Sequence, residues 1–136
     1  MTGGCTMAGT GRVVLGVVVG MVIWSVLWLG GSSVAQSSLP ELIPAGERVE
    51  HVGVLLGYLA WSVVLSVLAG YATAAIAGMS AMRAVWVLAV IQLGLGIFFE
   101  TSAWEITPVW YHVVFLVLLV PATVAGGRLR AGRSTA

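Results

Sequence analysis

Four stretches of nearly uninterrupted apolar residues, at 13–31, 52–77, 84–99 and 108–127, leave this chain few ways to fold. A helix advances 1.5 Å per residue, so crossing a hydrocarbon slab about 30 Å thick takes around 20 apolar residues. The first and fourth stretches have that length. The second has enough to tilt, and the third reaches it once Ala81 to Val85 at its edge are included. Within hydrocarbon no water can satisfy a backbone N–H or C=O, which makes helices the expected form. The expected fold is all-α, a polytopic four-transmembrane-helix antiparallel bundle with helices at 13–31, 52–77, 81–100 and 108–127 and an outer loop at 32–50. A single integral membrane domain would then cover 1–136. Only 8% of the residues are charged and 60% are hydrophobic, against about a quarter charged in soluble domains.

The few charges are sorted, all five glutamates and five of the six arginines. Arg12 precedes the first stretch, Arg83 lies between the second and third, and Arg128, Arg130 and Arg133 follow the fourth, while Glu41, Glu47, Glu50, Glu100 and Glu105 occupy the other two links. By the positive-inside rule both termini and the middle link are expected in the cytoplasm. The net charge of +1 comes from arginine alone, with no Lys, Asp or Asn. Such a chain offers no nucleic-acid surface, and its tail arginines are expected to meet anionic lipid head groups. Cys5 is the only cysteine, which excludes an internal disulfide or a thiolate cluster, and no cofactor is expected.

Residues Ser33 to Gln36 have the small side chains of a signal-peptidase site. The preceding apolar stretch is longer than a signal sequence usually carries and includes Trp24 and Trp28, so an uncleaved helix is expected. Pro40 and Pro44 interrupt helix in the outer loop. Gly46 to His51 is expected to begin helix two above the membrane surface, and Thr107 with Pro108 reads as the N-cap and first residue of helix four. Pro121 is expected to kink that helix.

Lipid gives no hydrophobic gain when apolar helices meet, so association rests on close backbone approach and interhelical hydrogen bonds. Gly16 and Gly20 in helix one, with Gly53, Gly57, Ser62, Ser66, Gly70, Ala74 and Gly78 in helix two, form small-residue ridges that suit such packing. Gln92 is counted to a depth similar to that of Ser62, so its amide is expected to bond the hydroxyl of Ser62 or Ser66.

Glu100, His112 and Gln92 are the candidates for a polar or proton-handling site, since imidazole and carboxylate are the usual exchangers inside membranes. Glu47, His51 and Glu105 lie near the same end. Their spacings match no zinc protease or deaminase motif, so no metal site is assigned. No nucleophile, base and orienting group can be assembled, and the chain is not expected to be an enzyme. The central half of each stretch lacks charge, which sets the chain apart from the small multidrug-resistance exporters, similar in size and helix count but with a glutamate inside the first helix.

The segments Gly70-Tyr71-Ala72-Thr73-Ala74-Ala75-Ile76-Ala77-Gly78 and Pro108-Val109-Trp110-Tyr111-His112, continuing through Phe115 and Pro121 to Gly126-Gly127-Arg128, resemble a loose group of small uncharacterised four-helix bacterial inner-membrane proteins. The resemblance implies a fold and a location, the bacterial cytoplasmic membrane, and assigns no functional residue. The expected role is that of a structural or accessory subunit acting through helix–helix association, with the lipid bilayer and a second copy or another membrane protein as partners. A small homodimeric transporter or channel is the alternative.

Overall fold

The computed structural model describes the backbone of residues 2–135 and the side-chain surroundings of residues 9–133, so the side chain of Cys5 lies outside the described residues. Helix α1 spans Thr2–Ser38, α2 Val52–Ala77, α3 Ala81–Ser102 and α4 Val109–Thr135, with a 3-10 turn at Gly78–Ser80 and no strand among the described residues. Three continuous helical stretches, 9–38, 52–102 and 109–133, are long and apolar enough to cross a membrane. The middle stretch is 51 residues long, which would extend about 75 Å if straight. Instead it doubles back at Gly78, whose φ of 63° suits a residue without a Cβ. A Cβ on Gly20 of α1 would meet Ala69 and Thr73 of α2 and Leu88 of α3 together, so α2 and α3 lie side by side against α1.

Two helices outrun their apolar stretches. Hydropathy marks how much of a helix suits hydrocarbon, whereas its hydrogen bonding continues until something breaks it. In α1 that is Pro40, and before it the hydroxyls of Ser33 and Ser37 donate to the carbonyls of Leu29 and Val34 at 2.8 and 3.0 Å. Helix α4 continues through Pro121 and on to Thr135.

The start of α2 corrects the expectation for Gly46 to His51, which is not helical. Gly46 has a φ of 77°, and the Val49 N–H donates to the Ile106 carbonyl at 2.8 Å, tying the loop to the α3–α4 link. His51 then caps α2, its Nδ1 accepting from the Val54 N–H at 3.2 Å. Ile43 and Val49 turn inward and are buried. At the other end of α2, Arg12 Nε donates to the Ile76 carbonyl at 3.0 Å, placing a cation at a helix C-terminus where the dipole favours it.

The tightest packing is between α2 and α4. A Cβ on Gly70 would collide with the Thr123 carbonyl and one on Gly126 with the Val67 carbonyl, so the two backbones touch. Gly16 meets α2 similarly, 2.9 Å separating its would-be Cβ from the Thr73 carbonyl. The Thr73 hydroxyl donates to the Gly16 carbonyl at 2.9 Å. Outward, Val14, Val18, Val22, Val26 and Leu29 form one face of α1, each more than half exposed. A row of that kind suits hydrocarbon rather than water.

Candidate functional site

Glu100 ends the apolar part of α3, and His112 lies one turn inside α4. The six-residue link 103–108 brings the two ends together, and His112 Nδ1 pairs with Glu100 Oε2. Both residues are buried, His112 to 1% exposure. With the Nδ1–H given to the carboxylate, Nε2 faces Thr107. That residue offers a hydroxyl at 3.1 Å, able to donate to a neutral ring, and a carbonyl at 3.2 Å, able to accept from an imidazolium. Either protonation state is therefore satisfied without moving a heavy atom.

Aromatic rings enclose this pair. Trp104 stacks on the imidazole with centroids 4.7 Å apart and planes 9° from parallel, and Tyr111 meets it edge-on. The contacts continue from Tyr111 to Phe115 and from Phe115 to Trp28, which touches both Trp24 and Tyr58. Bulky rings do not interlock completely, and a cavity of about 210 Å³ remains beside Thr107 and Tyr111, reaching Trp28 and Tyr58.

Gln92 stands apart from the pair, eight residues back along α3 or about 12 Å. The expected bond to Ser62 or Ser66 is not formed. Gln92 Oε1 instead accepts from the Thr123 hydroxyl of α4 at 2.6 Å, that hydroxyl also lying 3.0 Å from the Leu119 carbonyl. Ser62 donates to the Leu59 carbonyl of its own helix at 2.8 Å, and Ser66 accepts from the Trp24 indole at 3.3 Å. The signal for Thr123 was register. Glu100 opposite His112 puts position 92 opposite 120 in an antiparallel pair, and Thr123 is one short step further. Gln92 Nε2 is buried without a partner among the described residues.

The remaining nominees disperse. His51 caps α2, and Glu50 pairs with Arg48, the one arginine on the acidic side, at 3.1 Å. No group of three His, Cys, Asp or Glu side chains converges among the described residues. Thr107 bonds His112 through its hydroxyl, a role the N-cap reading did not foresee. Of the small-residue ridge, Gly16, Gly20 and Gly70 meet other helices, Gly78 meets Arg12, and Gly53 meets only the His51 ring. Gly57 faces open space. A straight four-residue ridge winds slowly round a helix of 3.6 residues per turn, so its members cannot all address one neighbour. Gly126, absent from the ridges, approaches a backbone carbonyl as closely as Gly70 does, and Gly127 packs against the Val85 side chain. Compared with protein-family models, curated proteins and solved structures, the chain matches none.

Proposed function

We propose that this protein is a membrane-embedded structural or accessory subunit. In this reading it is a single domain whose four helices each cross the cytoplasmic membrane of a bacterium as an antiparallel bundle. Arg12, Arg83, Arg128, Arg130 and Arg133 face the cytoplasm, and the protein acts by associating with another membrane protein or a second copy. The observation that carries this reading is the use made of the buried polar side chains. Trp24 with Ser66, Thr73 with Gly16, Gln92 with Thr123 and Glu100 with His112 each join two helices. An interior so committed holds helices together rather than lining a route for solute. One observation favours the alternative, a small homodimeric transporter or channel: the buried Gln92 Nε2, without a partner among the described residues, is a donor able to receive a polar visitor.

Affinity purification of the tagged full chain in mild detergent, with mass measurement, separates the two. A second membrane protein held in fixed ratio is expected; a lone homodimer that moves a solute across vesicles would replace the accessory reading with the alternative. For orientation, a reporter after Arg133 should be cytoplasmic and one near Pro44 external.

A further inference from the structure

At the arginine end of the molecule, the turn between α2 and α3 and the last turns of α4 enclose an open cleft of about 550 Å³. Arg83 lines it from the first turn of α3 and Arg130 from α4, with Gly78, Ser80 and Met82 among the other lining residues. Arg12, close by, already donates to α2. Arg83 and Arg130 have no hydrogen-bond or ion-pair partner among the described residues. No glutamate lies at this end, because all five belong to the outer loop and the α3–α4 link or the helix end that enters it. Ser80 makes no side-chain cap bond to α3.

Two arginines on different helices, lining one cleft with no ion-pair partner among the described residues, call for an anion with several acceptor oxygens. Each presents a planar fork of N–H donors that matches phosphate oxygens, and basic pockets between membrane helices suit phospholipid head groups. The lining has the matching apolar character, with Ala74, Ala75 and the exposed Met79 beside the arginines. We propose that this cleft is a phosphate-binding site, taking the phosphate of an anionic lipid head group or a free phosphate. The inference goes beyond the accessory reading and holds equally for a carrier.

Native mass spectrometry of the full chain in detergent, titrated with phosphatidylglycerol or phosphatidylcholine, tests it. Preferential retention of phosphatidylglycerol is expected. Arg83→Gln and Arg130→Gln should each reduce that retention about fivefold, the equivalent of about 1 kcal/mol per arginine. Arg133→Gln, which removes a charge outside the cleft, should leave it nearly unchanged. Displacement by millimolar inorganic phosphate would identify the phosphate itself as the recognised group and open the site to soluble ligands; resistance would identify the lipid as the source. Circular dichroism checks that each variant is folded, and Arg130→Lys keeps the test open if Arg130→Gln is not. Equal losses for all three arginine variants, or retention indifferent to Arg83 and Arg130, would overturn the proposal.

Discussion

The two ends of this molecule are built on opposite plans. Toward the arginines the helices meet backbone to backbone at Gly16, Gly70 and Gly126, leaving no interior room for a charged side chain. Of the five arginines at this end, Arg12 caps α2 and Arg83 and Arg130 line a cleft between the helix ends. Toward the glutamates the helices meet through the rings of Trp24, Trp28, Tyr58, Tyr111 and Phe115. Side-chain packing of that kind leaves space, and Glu100 and His112 occupy some of it, buried and mutually satisfied. The residue that sets the helix spacing thus decides where charge can go: glycine expels it, and aromatic rings can enclose it when the partners are complete.

The strongest way to break this contrast is to force the close end open. Gly70→Leu should destabilise the protein by about 3 kcal/mol, since a branched side chain would displace the α4 backbone. Gly57→Leu, where the space is open, should cost less than about 0.5 kcal/mol. Thermal melting in detergent compares them, and matching melting temperatures would mean that close approach is not what holds this end.

At the glutamate end, Glu100→Ala should cost about 2 kcal/mol because it leaves a buried imidazole N–H unpaired. Combining it with His112→Phe should cost less than the sum of the two single changes. Strict additivity in that cycle would dissolve the pair. Between the ends, Thr123→Val should cost about 1 kcal/mol through the loss of the Gln92 contact, while Ser62→Ala, whose hydroxyl serves only its own helix, should change melting far less. A reversed order would restore Ser62 as the partner of Gln92. A small effect is expected of Arg12→Gln, about 0.5 kcal/mol for an exposed cation at a helix C-terminus. Its melting shift should shrink further in high salt, and a salt-independent loss would point to packing instead of charge.

Much of the layout was legible because hydrophobic length and helix breakers act locally. The bounds of α2 match the apolar stretch at 52–77, and Gly78 ends it as a glycine should. The meeting of Glu100 with His112 was also within reach, since a link of six residues leaves the flanking helix ends no freedom to part. What lay beyond the sequence involved choices among equals. Gly57 and Gly70 look alike in a ridge, and only the winding of α2 against α4 separates the one in open space from the one against the Thr123 carbonyl.

The sequence by itself determined that this chain is helical and apolar over membrane-long stretches, and that all its arginines but Arg48 lie in different links from its glutamates, because these follow from local composition and from the few residues that can end a helix. The tertiary structure alone decided that Gln92 takes Thr123 over Ser62, that Thr107 serves His112, and that Arg83 and Arg130 share a cleft while Arg12 does not. Those outcomes depend on helix rotation and register, which are set by the sum of many contacts across the molecule and are written at no single position along it.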